Sequence, residues 1–127
     1  MEKTLIKLRE KAHKFDIKLD QALKEVELRT TQIAEKITKQ IVKNVRKNPE
    51  IKRFKLLLNP MKVLGLTKKQ INYLLRCDYE APARRQFLYC LVDIQAKICI
   101  GHDYVYEVTL DLNDKLVVRG LNGITEL

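Results

Sequence analysis

Residues 5–41 read LIKLREKAHKFDIKLDQALKEVELRTTQIAEKITKQI, and the spacing of their apolar residues decides the fold of the N-terminal half. Leu5, Leu8, Ala12, Phe15, Leu19, Ala22 and Val26 alternate intervals of three and four, a heptad seam, and Ile33, Ile37 and Ile41 carry the stripe on at intervals of four. Residues 1–48 contain neither glycine nor proline and are rich in Lys, Glu, Gln, Leu, Ile and Ala, so a long helical region is expected. Such a stripe must be covered, by its copy in a second chain as a coiled coil, by a hairpin, or by the rest of its own chain. Homodimerisation through Leu5, Leu8, Phe15, Leu19, Val26, Ile33 and Ile37 is the expectation. Phe15, Ile17 and Leu19 also alternate as in a strand, and Asp16 or Asp20 could cap a new helix, so a break in the helix is expected at residues 15–20 if there is one.

Outward from this region, Asn48-Pro49 is a stop, because the residue before a proline is pushed out of helical geometry. The boundary placed there divides a helical region, 1–48, from a small α+β domain, 49–127. The run 51–58 is too short to assign to helix or strand, and Asn59-Pro60 marks a turn. Thr67 with Gln70 forms a capping box, Leu66 and Ile71 occupy the positions of a hydrophobic staple, and a helix from about Lys68 to Cys77 should bury Ile71, Leu74 and Leu75. After a turn at residues 78–81, Pro82 is placed as the first residue of a further helix, although 87–100 is apolar enough to read as strands instead. Tyr104, Tyr106, Val108, Leu110 and Leu112 alternate with polar or smaller residues, the period of a half-buried strand. Asn113-Asp114 turns the chain, residues 116–119 return, and Gly120 with Asn122-Gly123 indicates another turn. The fold class is α+β: a long amphipathic helical region, short middle helices, and a C-terminal antiparallel hairpin or small sheet.

The chain has 127 residues, 46% of them apolar and 32% charged, which suits one folded domain with a helical extension. No run approaches the roughly 18 to 20 apolar residues of a membrane span, and no secretory leader is visible, so a cytoplasmic protein without a membrane partner is expected. Cys77, Cys90 and Cys99 are an odd number without repeating spacing, as expected of reduced packing thiols. The net charge of +9 is unevenly spread. Residues 36–86 hold 14 basic against 3 acidic residues, net +11, whereas residues 87–127 carry net −3. A positive field confined to one stretch is the signature of a protein that meets phosphates or an acidic partner.

Lys36, Lys39, Lys43 and Lys47, at intervals of three and four, share one helix face and can track a phosphate backbone. Residues 67–98 follow the plan of a helix-turn-helix, with Arg84, Arg85, Gln86 and Tyr89 early in the second helix where side chains reach base edges, and the hairpin as a wing. Cys77, Cys90, Cys99 and His102 have zinc-ligand chemistry, but they lack the paired spacing of a zinc site, and no metal or other cofactor is expected. Catalysis has little support: there is no serine, no Walker or dinucleotide loop, and although Cys99, His102 and Asp103 could be drawn as thiol, base and orienter, adjacent residues on a strand point to opposite faces. The expectation is a non-enzymatic nucleic-acid-binding regulator or accessory protein, contacting nucleic acid through Lys39, Lys43, Arg46, Lys47, Lys68, Lys69, Arg84, Arg85, Gln86 and Tyr89. The alternative is a protein-interaction module, an inhibitor, adaptor or chaperone, docking on an acidic protein surface.

Overall fold

The computed structural model describes residues 2–48, 50, 52–98 and 104–121. Along the chain these form α1 (Glu2–Leu28), α2 (Thr30–Lys47), β1 (Arg53–Leu58), α3 (Pro60–Leu64), α4 (Lys68–Arg76), α5 (Pro82–Ile98), β2 (Tyr104–Leu110) and β3 (Leu116–Leu121). The strands make an antiparallel sheet in the order β1-β3-β2. The fold is α+β. Of the two segments that periodicity left open, the first is a strand over Arg53–Leu58 and the second, as far as Ile98, is one helix.

The N-terminal stripe forms two helices, and their joint lies later than residues 15–20. Phe15 and Leu19 remain on the helical stripe, with Phe15 edge-on to Tyr73 at 5.5 Å and Leu19 buried, so α1 runs unbroken through that region. The break falls at Arg29, whose φ of −110° and ψ of 15° lie in the bridge region and whose N–H is shared between the carbonyls of Glu25 and Val26. Tertiary contacts hold it there. The Arg29 guanidinium donates to the Leu64 carbonyl at 3.1 Å, at the end of α3, and the buried Thr30 hydroxyl accepts from Lys97 Nζ of α5 at 2.6 Å. The apolar stripe passes across the joint, through Leu23, Val26, Ile33 and Ile37, and both helices pack on α5.

Coverage of the seam is therefore largely internal. Leu19, Val26, Ile33 and Ile37 lie in one core with Phe54, Leu74, Ile94, Val105 and Leu116, and Phe15 packs at its edge. Leu19, Val26, Ile33 and Ile37 are thus buried within their own chain rather than exposed for the expected contact with a second copy, while Phe15 is half-buried. Leu5 and Leu8 differ, at 55% and 57% exposed on a part of α1 that runs past the core. The same core draws on residues from both sides of the Asn48-Pro49 boundary.

The local signals in the middle of the chain take the forms their chemistry dictates. Thr67 Oγ1 accepts from the Gln70 N–H at 3.2 Å and Gln70 Oε1 from the Thr67 N–H at 2.9 Å, completing the capping box, with both staple residues buried. Asn59 caps α3 through the Met61 N–H, and Pro60 takes its first position, so Asn59-Pro60 begins a short helix rather than a simple turn. Gly65 closes α3 at φ +74°, a left-handed conformation that favours glycine.

The hairpin departs from strict alternation. A bulge between Val105 and Glu107 turns Val105 into the core and leaves Tyr106 exposed, after which Val108 is buried again. Leu112 lies exposed in the turn, where Asp111 Oδ1 accepts from the N–H groups of Asn113 and Lys115. Gly120 does not turn the chain: it lies inside β3, opposite Phe54 on one side and Val105 on the other. The turn expected at Asn122-Gly123 lies outside the described residues.

Candidate nucleic-acid interface

The face of α2 opposite Ile33, Ile37 and Ile41 is the most basic feature of one element. Burial of the isoleucines against α5 fixes the rotation of the helix, so Lys36, Lys39, Lys43 and Lys47 are driven to the solvent side. They span roughly 16 Å of helix axis, about the axial rise of five phosphates on one strand. Lys39, Lys43, Arg46 and Lys47, with Thr38 and Val42, surround a shallow hollow of about 500 Å³. Among the described residues no carboxylate lines it. The ion pairs formed among the described residues, Asp20–Lys24, Asp93–Lys97 and Glu107–Arg119, involve none of these four cations. Part of the charge has a local cause, since Arg46 and Lys47 stand in the last turn, where unpaired helix carbonyls favour cations. Lys39 and Lys43 have no such explanation.

The other expected contacts fall elsewhere. Lys68 and Lys69 are exposed in the first turn of α4 and do not line the α2 hollow. Arg85, Gln86 and Tyr89 do come together, along a cleft of about 550 Å³ between α5 and the end of α1, but Glu27 and Asp93 line the same cleft. The Asp93 carboxyl is held below the usual carboxylate range, by a hydrogen bond from Thr30 first and by Lys97 second, so it keeps its negative charge. An approaching phosphate would meet two carboxylates beside one arginine.

Arg84 leaves the candidate set for a structural reason. Its Nη1 donates to the Leu74 carbonyl at 2.7 Å and its guanidinium lies over the Tyr79 ring at 4.4 Å, so it ties the start of α5 to the end of α4. The helix-turn-helix connectivity of α4, residues 77–81 and α5 is present, but α5 is the central helix of the core. Phe87, Cys90, Leu91, Ile94 and Ile98 are buried against its neighbours, and the open side mixes Arg85 and Tyr89 with Leu88, Val92 and Asp93. The β2–β3 hairpin packs on α5 through β2 rather than standing apart as a wing.

The thiols that are described have packing environments. Cys77 Sγ lies 3.6 Å from the Leu74 carbonyl, and Cys90 is buried, its pKa pushed up to about 11 by burial first and by the nearby Glu27 and Asp93 carboxylates. A thiol so shifted is protonated at neutral pH and is no nucleophile. Cys99, His102 and Asp103 lie outside the described residues.

Arg53 and Lys55 on the outer face of the sheet were not singled out by sequence reading. With Leu57 they alternate against the inward Phe54, Leu56 and Leu58, and Lys55 stands beside Arg119, itself paired to Glu107 at 3.3 Å. The alternation was present in the sequence, but a six-residue run carries too few periods to separate strand from helix. No helix among the described residues is long and apolar enough to cross a membrane. Comparison with protein-family models, with curated proteins and with solved structures finds no match for this chain.

Proposed function

We propose that this is a small non-enzymatic nucleic-acid-binding accessory or regulatory protein of the cytoplasm, whose principal contact is the exposed face of α2. The observation that carries this reading is the hollow bordered by Lys39, Lys43, Arg46 and Lys47, in whose lining no carboxylate stands and whose cations form no ion pair among the described residues. Lysine ammonium groups on flexible stems follow a phosphate backbone as point charges and read no bases, so binding is largely independent of sequence. Lys68, Lys69 and Arg85 extend the positive field without sharing that hollow. Pairing of two copies through Leu5 and Leu8 would join two such faces in one particle.

The test is a fluorescence-anisotropy titration of a mixed-sequence DNA duplex and a matched RNA at two salt concentrations. The expected result is binding that weakens steeply with salt and is lost when Lys39 and Lys43 are changed to Glu. Absence of binding to both nucleic acids at low salt refutes the reading.

A second reading has its own support in the exposed Leu5, Ile6 and Leu8 of α1, apolar side chains that the described fold leaves uncovered. In a protein-interaction module this segment would dock in a partner's groove while α2 steers the approach to an acidic surface. Association that is abolished by Leu5→Lys with Leu8→Lys, while nucleic-acid binding is absent, favours it over the first.

A further inference from the structure

Two buried side-chain polar atoms among the described residues have no hydrogen-bond partner, and one of them, Arg84 Nε, belongs to a residue that lines a cleft. The cleft, about 460 Å³, lies between α4, α5 and β2 and is walled chiefly by hydrocarbon, including Leu75, Phe87, Leu88, Val92 and Leu110. Its volume falls in the range of small-ligand sites, roughly 300–1,000 Å³. Leu88 and Val92 are 42% and 64% exposed, so apolar surface continues from the cleft to solvent.

The geometry of Arg84 narrows the chemistry. Nη1 is engaged by the Leu74 carbonyl and one face of the guanidinium by Tyr79, while no carboxylate among the described residues pairs with it. What is left is the Nε–Nη2 edge, the side of a guanidinium whose two parallel N–H groups match the two oxygens of a carboxylate. A buried donor without an acceptor is costly, and a ligand that enters the cleft and parts the side chains covering Nε relieves that cost by supplying the acceptor. We infer that this cleft binds a small linear aliphatic ligand with an anionic oxygen head, a medium-chain carboxylate being its simplest form. The chain lies along Phe87, Leu88 and Val92, and the carboxylate accepts from Arg84 Nε. The site is separate from the α2 hollow and does not depend on the nucleic-acid reading, because the two share no residue.

The test titrates the isotopically labelled full chain with sodium decanoate and, separately, with decan-1-ol, following the Arg84 Nε–H signal and the Leu88 and Val92 methyl signals by NMR. Decanoate should shift all three saturably and bind at least about tenfold more tightly than the alcohol, the scale of one charge-assisted hydrogen bond. Equal affinity for acid and alcohol, or an Arg84 signal that does not move, overturns the inference. Arg84→Gln should remove the preference for the acid. Because Arg84 also ties α4 to α5, Val92→Glu at the exposed mouth provides a second variant, which should keep the fold and lose decanoate by charge repulsion. Shifts of the same methyl groups with protein concentration alone would identify the occupant as an apolar segment of a second copy, and the small-ligand inference would fall.

Discussion

Replacing Ile37 by alanine separates a seam buried within one chain from a seam shared between two. Ile37 is fully buried, and removing its side chain leaves a cavity at the contact between α2 and the core, so the loss is about 2–5 kcal/mol. For 127 residues, an unfolding entropy of about 2.1 cal/mol/K per residue gives about 0.27 kcal/mol/K, so the midpoint should fall by about 7–19 °C. The control is Leu5→Ala with Leu8→Ala, where both side chains are more than half exposed and the change in the isolated chain should stay within about 0.5 kcal/mol, or 2 °C. The assay is thermal unfolding followed by circular dichroism at two protein concentrations tenfold apart, with mass in solution measured alongside. If the seam is internal, the Ile37→Ala deficit is the same at both concentrations. A deficit that disappears on dilution, or a control as damaging as Ile37→Ala in the dilute sample, would refute the internal packing and return the seam to a coiled coil.

Other predictions concern the charge, the joint and the titrating groups. Four phosphate contacts from α2 imply a salt slope near −3.6 and a fall in affinity of about 150-fold between 50 and 200 mM salt; Lys39→Ala with Lys43→Ala should halve the slope, and an unchanged slope removes α2 from the interface. Gly65→Ala should cost about 1–2 kcal/mol, since φ is +74° and the new Cβ would stand 3.0 Å from the Arg29 guanidinium nitrogen that bonds Leu64; a melt within 1 °C of the parent contradicts this. Cys90 should resist iodoacetamide at pH 8 in the folded chain and react on unfolding. Its raised pKa means that its stabilising contribution is complete below about pH 9 and is lost as the pH rises towards 11, which peptide-resolved alkylation and pH-dependent melts can check. Thr30→Val should raise the Asp93 pKa towards its ordinary value. The stability linked to that carboxylate is present above about pH 4 and lost below it, and carboxyl NMR through that range tests the assignment.

Much of the fold was legible where a short stretch carries its own physical cause. The Thr67–Gln70 box needs no distant partner, and Pro82 begins α5 because its missing N–H and fixed φ suit a first helical turn. The stripe through Leu19, Val26, Ile33 and Ile37 was visible, but what covers it was not, because a heptad seam is satisfied equally by another chain or by α5. The joint at Arg29 escaped notice because nothing local breaks the helix there; the Leu64 carbonyl and Lys97 that hold it lie 35 and 67 residues away. For the candidate interface, the Lys39, Lys43, Arg46 and Lys47 face followed from periodicity. The diversion of Arg84 to Leu74 and Tyr79, and the acidic neighbours of Arg85, depend on tertiary placement that spacing does not encode.

The strand order has a consequence for the birth of the molecule. β3 is the third strand in chain order yet the middle one in the sheet, so β1 has no neighbour until β3 has been made. The Arg53–Leu121 pair closes a loop of about 68 residues, and at roughly 5–20 residues per second the ribosome takes about 3–14 s to supply it. Through that interval Phe54, Leu56 and Leu58 form an unpaired, β-prone ribbon on the nascent chain, while α1 and α2 are already complete. Any factor that shelters this chain during synthesis would find its target at residues 53–58.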